Sequence, residues 1–242
     1  IAPCVVEHGS LLHPYDLPFD DAQWPETFTN FRRRVEAVWR VDEPVPAPTR
    51  LVAPSNLPHP GELPGESDPR GWVLADPRAG TWPGGETAGL SRWQHWAWDH
   101  RCLTHYRETR DALMGDLSSS RMSAYLSQGM VSPRRLYESV WQYEQVYGSN
   151  QGTYWLVFEL LWRDYFRGWA RSAGNRLYDA EGVQGLPIPW QRRDGIFHAW
   201  CEGQTGFPLV DATMRELKAT GWTSNRSRQV AASFLTKVLG ED

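Results

Sequence analysis

The stretch from Thr153 to Trp169 constrains the fold of this chain more than any other. It contains 17 residues, most of them aliphatic or aromatic, and no proline. Strands are usually shorter than this, so the stretch predicts one long helix. No segment from residue 86 onward alternates with period two for long enough to form a sheet. We therefore predict an all-α fold from residue 86 on.

One face of the predicted helix carries three chemically active side chains. Glu159 and Arg163 are four residues apart, and Trp162 lies beside them at a spacing of three from Glu159. One interpretation is an ion pair on a bundle helix with aromatic packing around it. The other is a functional face that presents a carboxylate, a guanidinium and an indole.

Periodicity and capping residues predict further helices on either side of a linker. Residues 1–22 show no periodic element, and residues 42–85 hold 10 Pro and 6 Gly in 44 residues, which indicates a linker or an extended strap. The predicted helices are Pro25–Trp39, Glu86–Asp99, Leu103–Met114, Pro133–Tyr147 after a Ser132 cap, Thr153–Trp169 ending near Gly174, Ile196–Glu202, Leu209–Thr220 closed by Gly221, and a last helix to Leu239 capped by Ser224 or Asn225.

Composition limits the class of protein. The three cysteines, Cys4, Cys102 and Cys201, are far apart and form neither a disulfide framework nor a metal cluster. The seven histidines are scattered, so we expect no metal site. No apolar run approaches a membrane span. We expect a reducing compartment, cytoplasmic or organellar, and not secretion. The chain begins at Ile1, and we expect it to be a fragment of a longer protein.

Charge and aromatic content are consistent with a nucleic-acid partner without requiring one. The net charge is -4, but residues 118–242 hold 14 basic and 12 acidic residues, a balance of +2. The 25 basic residues comprise 23 Arg and 2 Lys, which suits phosphate contacts, although genomic base composition gives the same bias. The 14 tryptophans suit a core, stacking on planar rings or electron transfer.

A hydroxyl run precedes the segment after residue 117. Ser118, Ser119 and Ser120 are followed by Arg121, Met122 and Ser123. Serines ahead of a helix commonly cap it. The alternative is a phosphate cradle, because hydroxyls, free backbone N–H groups and a guanidinium would gather at one helix start.

Seven short motifs in a fixed order give the chain a family resemblance. The chain resembles the photolyase/cryptochrome flavoproteins and, among them, the DASH cryptochromes. Ser224 and Gln229 stand where repair photolyases of duplex DNA usually carry histidine and methionine. The motifs are Gly84-Gly-Glu-Thr-Ala, Tyr106-Arg-Glu-Thr-Arg-Asp, Ser119-Ser-Arg-Met-Ser-Ala-Tyr-Leu, Gly129-Met-Val-Ser-Pro-Arg, Glu159-Leu-Leu-Trp-Arg-Asp-Tyr-Phe, Gly203-Gln-Thr-Gly-Phe-Pro-Leu-Val-Asp-Ala-Thr-Met-Arg-Glu-Leu, and Gly221-Trp-Thr-Ser-Asn-Arg-Ser-Arg-Gln-Val-Ala-Ala-Ser-Phe-Leu.

The resemblance implies a mainly α fold, a helical FAD-binding domain of photolyase/cryptochrome type, in three parts. Residues 1–41 would be the end of an N-terminal α/β antenna domain, residues 42–85 the Pro/Gly-rich linker, and residues 86–242 the FAD-binding domain, incomplete at its C-terminus. A folate antenna, methenyltetrahydrofolate, is compatible with the full-length protein. We expect the whole protein to bind FAD and this fragment to bind it weakly or not at all.

The resemblance also assigns roles to individual residues. Glu159 and Trp162 would receive a flipped-out pyrimidine dimer, the carboxyl group binding the base edges and the indole forming a wall. Arg226 and Gln229 would contact the DNA substrate. Trp190 would be the outermost member of an electron-transfer chain, or else a partly exposed loop tryptophan. The residues implied to hold FAD are Tyr106, Ser118, Ser119, Ser120, Arg121, Met122, Ser123, Arg163, Asn225 and Arg228.

The implied activity is light-driven repair of cyclobutane pyrimidine dimers, by electron transfer from reduced FAD. Single-stranded DNA is the expected substrate because unstacking costs less there. We expect a monomer without membrane contact. Two alternatives remain at this stage: a blue-light receptor or DNA-binding regulator without repair activity, and an inactive fragment.

Overall fold

The computed structural model describes residues 9–46, 48–50 and 83–241, and this part of the chain is helical. It contains no β-strand in those ranges, only one isolated parallel bridge between Gln191 and Glu241. The predicted mainly α fold is confirmed. Its α-helices are α1 Phe28–Glu36, α2 Glu86–Trp93, α3 Tyr106–Thr109, α4 Ser123–Ser127, α5 Pro133–Tyr147, α6 Gln151–Ala173, α7 Asp194–Cys201, α8 Pro208–Thr220 and α9 Asn225–Ser233.

Shorter helical turns extend several of these elements. Two are π-helical continuations, Gln94–Asp99 after α2 and Phe234–Leu239 after α9. Four are 3₁₀ turns: Pro14–Asp16, Asp21–Gln23, Cys102–His105 and Gly174–Tyr178. Of the predicted linker, residues 47 and 51–82 lie outside the described residues, and the described remainder carries no helix before Glu86. The three-part division of the chain stays a prediction.

Helix α6 is the centre of the main core. Asn150 caps it through its side chain, which accepts hydrogen bonds from the backbone of Gly152 and Thr153, and Gly174 ends it. The buried side of α6 contacts α1, α5 and the Cys102–His105 turn. Because these partners cover an apolar face, burial of that face accounts for the stability of so long a helix.

Two glycines set the closest approaches to α6. A Cβ atom at Gly152 would lie 2.2 Å from the carbonyl oxygen of Leu103, and one at Gly168 would lie 2.0 Å from the Trp24 ring. The backbone of α6 therefore touches its neighbours where a side chain would prevent contact.

One predicted helix was wrong in length. The segment Leu103–Met114 forms only the Cys102–His105 turn and α3, which ends at Thr109. Leu113 and Met114 are exposed, at 38% and 83%. They therefore contribute no apolar face that would hold a longer helix against the core. The first predicted helix is also shorter than expected, since α1 begins at Phe28 after a Thr27 cap.

A second, smaller apolar cluster holds α8 and α9 together. It consists of Val210 and Met214 on α8, Ala231 on α9, and Phe234 just after it. Asp211 fixes the preceding turn, because its carboxylate accepts hydrogen bonds from the backbone of Thr205 and Gly206 at 2.7 and 3.0 Å.

Candidate functional site

The serine run lies in a loop that leads into α4, and it does not cap that helix. The N-cap position of α4 is Met122, without a side-chain hydrogen bond. Ser118 Oγ instead donates to the Gly115 carbonyl at 2.8 Å, and Ser120 Oγ accepts from the Met122 backbone at 3.4 Å. The Ser120 carbonyl accepts from Arg92 Nε at 3.3 Å. The loop is therefore held by its own contacts, and the capping interpretation of these serines is wrong.

Arg121 connects this loop to the chain just before α9. Its backbone is left-handed, with φ of 55°, and its guanidinium pairs with Asp116 at 2.9 Å. The same guanidinium lies 4.1 Å from the centroid of the Trp222 ring. The residues predicted to hold FAD before α4 and those on α9 are thus brought to one region.

Tyr106 lies under the same loop. Its buried ring meets Trp96 edge to face at 5.4 Å, and Trp96 Nε1 donates to the Leu117 carbonyl at 2.9 Å. Burial raises the pKa of the Tyr106 hydroxyl, and the nearby Glu159 carboxylate adds to the effect. The phenol is therefore neutral and is available as a hydrogen-bond donor or acceptor.

Glu159 is paired with Arg110 and not with Arg163. Arg110 Nη1 lies 2.7 Å from Glu159 Oε1, so the predicted ion pair within α6 is replaced by one between α6 and the turn after α3. Burial raises the pKa of the Glu159 carboxyl, and the Arg110 charge opposes that shift. A partly desolvated carboxyl group is held in place by a cation.

This pair continues toward α9 through alternating charges. Asp111 lies 3.8 Å from Arg110 Nη2 and 3.0 Å from Arg226 Nη2. Arg226 in turn donates to the Gln229 side chain at 3.3 Å. The structure therefore connects Glu159 with the two residues predicted on the substrate side of α9.

Arg163 holds the ends of two segments. Its guanidinium donates to the carbonyls of Gly9 and of Leu126, the latter at 2.9 Å. Leu126 lies on α4, so Arg163 is anchored next to the serine loop. Desolvation lowers the pKa of this guanidinium, with the Arg167 charge acting in the same direction.

Trp162 packs against other aromatic rings. Its indole is stacked on Phe28 with centroids 3.7 Å apart and planes 11° apart, and it also approaches Phe166 at 5.3 Å. Part of the ring is thus covered by α1. Its role as a wall of the dimer cavity stays a prediction. Only the exposed part of the indole would form that wall.

The remaining predicted residues are exposed or half-buried. Asn225 is the first residue of α9, exposed after the Ser224 cap, and Arg228 donates to the Thr223 carbonyl at 3.3 Å. Trp190 Nε1 donates to the Ala180 carbonyl at 2.6 Å, beside a cleft of about 450 Å³ that also includes Phe197. Trp190 is half-buried, which is compatible with both interpretations of it.

The donor set fits an anionic dinucleotide such as FAD. Hydroxyl groups, a buried phenol and the guanidinium groups of Arg121 and Arg163 lie around the serine loop, and such groups bind diphosphates. The sequence alone indicates no role for Arg110, Asp111, Arg92 or Trp222. Only the adjacent charges Arg110 and Asp111 in the Tyr106 motif gave a signal, and their partners are distant in sequence.

The described residues contain neither a cluster of metal ligands nor a helix suited to cross a membrane. Within residues 9–46, 48–50 and 83–241, no three His, Cys, Asp or Glu side chains lie close enough to hold a metal ion. Among those residues, no helix is long and apolar enough to cross a bilayer.

Comparison with known proteins gives consistent matches. Residues 155–242 match the family described as the FAD binding domain of DNA photolyase. A cryptochrome DASH from Gloeobacter violaceus is 47% identical over 237 residues, which cover 96% of this chain and 46% of that protein. The chain spans about half the length of the curated relatives it matches.

Two solved structures have similar folds. A Synechocystis cryptochrome superposes with a TM-score of 0.91 at 42% identity, covering 97% of this chain and 49% of that one. A bacterial class III photolyase from Agrobacterium tumefaciens gives 0.76 at 25% identity, covering 97% and 48%.

Proposed function

Because the chain belongs to the photolyase/cryptochrome family, with FAD as its cofactor, we propose that the whole protein repairs cyclobutane pyrimidine dimers in single-stranded DNA under blue light. When bound, reduced FAD supplies the light absorption and the electron that opens the dimer. The protein's part is to bind and orient the flavin and the DNA.

The serine loop and its neighbours would hold the flavin nucleotide. Arg121 and the hydroxyls of Ser119 and Ser123 would bind the phosphates. Tyr106, which contacts Trp96 under this loop, and Arg163, which donates to the Leu126 carbonyl on α4, would bind the rest of the nucleotide. This assignment is supported by the hydrogen bonds that already fix the loop, while its serines do not cap α4. A site that is ordered before binding loses less entropy when the ligand binds.

The observation that carries the proposal is the charged series Glu159, Arg110, Asp111 and Arg226. It joins a half-buried carboxyl on α6 to exposed cations on α9. Such an arrangement supplies a hydrogen-bonding group for base edges next to cations for the DNA phosphates. Arg226 and Gln229 would therefore contact the DNA backbone or the bases beside the lesion.

Glu159 and Trp162 would act on the extruded dimer. The desolvated Glu159 carboxyl would bind the base edges, and the exposed part of the Trp162 indole would contact the rings. Extrusion of two bases costs less from a single strand than from a duplex. This is the physical support for a single-stranded substrate.

A second candidate function is that of a blue-light receptor or DNA-binding regulator without repair activity. The observation in its favour is that the similar proteins from Gloeobacter and Synechocystis are named cryptochromes. An inactive fragment is a third outcome for this chain by itself.

We also propose a monomer in a reducing compartment, cytoplasmic or organellar, with a folate antenna in the full-length protein.

Repair of a defined lesion tests the proposal. The whole protein, loaded with reduced FAD, is mixed with a single-stranded oligonucleotide that carries one cyclobutane dimer, and dimer loss is followed under blue light and in the dark. Repair in light alone is expected. Binding of the oligonucleotide without any repair favours the receptor, and absence of both binding and repair rejects the two DNA-related functions.

The Glu159→Gln variant makes the test specific to the site. It is expected to retain FAD and to repair more slowly, because the amide keeps the size of the carboxyl but loses its charge. Glu138→Gln is the matched control, since Glu138 lies on α5 and is paired with Arg135 on the same helix. Equal repair by wild type and Glu159→Gln contradicts the assigned role of Glu159.

A further inference from the structure

A large cavity lies on the face of α6 opposite Glu159. Its volume is about 870 Å³, within the range of small-molecule sites. Tyr154, Val157, Phe158 and Leu161 line it at spacings of three, four and seven residues from Tyr154. That spacing is one stripe of a helix, and Glu159 lies outside it. None of the residues assigned to the flavin or the dimer lines this cavity.

Aromatic side chains form the walls of this cavity. Trp39, Tyr137 and Trp141 line it together with Tyr154 and Phe158. Trp39 Nε1 donates to the Tyr137 hydroxyl at 3.1 Å, which fixes two walls relative to one another. Trp141 and Tyr154 remain 56% and 43% exposed. Large rings are thus displayed to a concave space, although burial in the core would remove them from water.

Two carboxylates lie among these rings. Glu36 accepts a hydrogen bond from the Tyr154 hydroxyl at 3.1 Å, and Arg32 approaches its other oxygen at 3.5 Å. Glu144 accepts from the Thr153 hydroxyl at 2.5 Å, a neutral donor. Among the residues that the structure describes, Glu144 forms no ion pair, whereas Glu36 is partly balanced by Arg32.

Among the described residues, the nearby cations do not neutralise the negative charge of Glu144. Arg107 points to the cavity rim, where its Nη1 donates to the Gln151 side chain at 3.1 Å and its guanidinium lies over Trp155. Within the described part of the chain, neither Arg32 nor Arg107 forms an ion pair with Glu144. A positive group in the cavity would be attracted both by the carboxylate of Glu144 and by the negative faces of the aromatic rings.

We propose that this cavity binds a small organic cation with an aromatic or apolar body. The ammonium or guanidinium group lies near Glu144, and the apolar body lies against Trp39, Trp141 and Tyr154. Charge complementarity and ring faces both select a cation over a neutral or anionic molecule of similar size. The site needs neither flavin nor light, so its test is independent of the proposed repair function.

The probe is benzyltrimethylammonium, which combines a quaternary ammonium group with one ring. The purified chain is titrated in the dark without flavin, and binding is followed by calorimetry and by tryptophan fluorescence. Saturable binding of one equivalent is expected, with weaker or no binding of benzenesulfonate, an anion of similar size. Absence of saturation, or equal affinity for the anion, overturns the proposal.

Substitutions locate the bound cation in the cavity. Glu144→Gln and Trp141→Leu are each expected to weaken binding about threefold to fivefold, the range for one exposed charge or cation–π contact. Glu138→Gln on the same helix and Tyr178→Leu, whose ring is 85% exposed elsewhere, are the matched controls and should leave affinity unchanged. Binding that is insensitive to both cavity substitutions overturns the assignment. Circular dichroism confirms that each variant is folded.

Discussion

The position of Glu159 depends on Arg110 more than on any neighbour in its own helix. The 2.7 Å contact joins two segments that are far apart in sequence. Burial raises the pKa of the Glu159 carboxyl, and the Arg110 charge opposes that rise. Removing the cation leaves burial and the Asp111 charge to raise the pKa of Glu159 against the Trp155 side chain only, so that pKa must then rise further.

Arg110→Gln is predicted to slow dimer repair by the whole protein about tenfold, the effect of one charge-assisted contact. Its pH profile should also shift to higher pH, whichever protonation state of Glu159 acts. Arg107→Gln is the control, because Arg107 lies on the same segment and over the same Trp155 ring as Arg110, but donates to Gln151 and not to Glu159. Repair rates measured from pH 5 to pH 9 check both effects. An unchanged profile contradicts the role of Arg110 as a positioning residue.

Asp164 gives a pH-dependent contribution to stability. Its buried carboxylate accepts hydrogen bonds from the backbone of Leu11 and Leu12, yet burial raises its pKa from 3.8 to about 6. The folded state therefore holds this proton more tightly than the unfolded state does. The contribution is fully present below about pH 4 and is lost as pH rises toward 6, about 3 kcal/mol in all.

Asp164→Asn removes this titration. Relative to wild type, the variant is predicted to gain stability as pH rises from 4 to 7, although losing one acceptor oxygen lowers its stability at every pH. Urea unfolding at several pH values measures the difference, and Asp179→Asn, at an exposed site, is the control. A constant difference between variant and wild type contradicts the assignment.

At the scale of elements, the close contact of α6 with the Cys102–His105 turn depends on Gly152. A Cβ atom there would lie 2.2 Å from the Leu103 carbonyl oxygen and 2.6 Å from the Thr104 carbonyl oxygen. Both obstacles are backbone atoms, which cannot move aside as a flexible side chain can. The helix or the turn must shift to accept the methyl group.

Gly152→Ala is predicted to lower the free energy of unfolding by about 1 to 3 kcal/mol, the usual cost of overpacking. Gly195→Ala on α7 is the matched control, since no atom lies within 4 Å of a Cβ there. The control should stabilise the chain by about 0.4 to 1 kcal/mol because alanine restricts the unfolded state. Thermal and urea unfolding measure the change in stability of both variants. Equal changes in the two variants contradict this account of the contact.

Helix existence could be predicted where capping residues and apolar periodicity agreed. Ser132 with Pro133, Gly148 and Gly174 gave the bounds of α5 and the end of α6 almost unchanged. The segment after α3 could not be predicted, because its course depends on the pairing of Arg110 with Glu159. Local propensity contains no information on such a contact.

The same limit applies to the site. Sequence motifs predicted that the serine loop, Arg163 and α9 belong to one site, but they did not predict the residues that these contact. The stack of Trp162 on Phe28 and the contact of Arg121 with Trp222 join residues about 100 or more positions apart. Only the folded chain brings these rings and charges together.

At the scale of the molecule, contacts within the described part of the chain join the main core to the α8–α9 cluster. Arg121 contacts Trp222, and Asp111 pairs with Arg226. Both lie where the residues proposed to bind the flavin and the substrate meet. We therefore expect ligand binding at this boundary to stabilise the two clusters relative to one another, because it adds contacts to both.

A titration of the purified chain with FAD tests the central claim, that the described residues form a flavin site. Flavin fluorescence is followed for wild type, Arg121→Gln and a control, Arg135→Gln, whose side chain is 56% exposed on α5. The account predicts weak but saturable binding that Arg121→Gln weakens about tenfold and Arg135→Gln leaves unchanged. Absence of saturation, or equal affinity in wild type and Arg121→Gln with both folded, would contradict it.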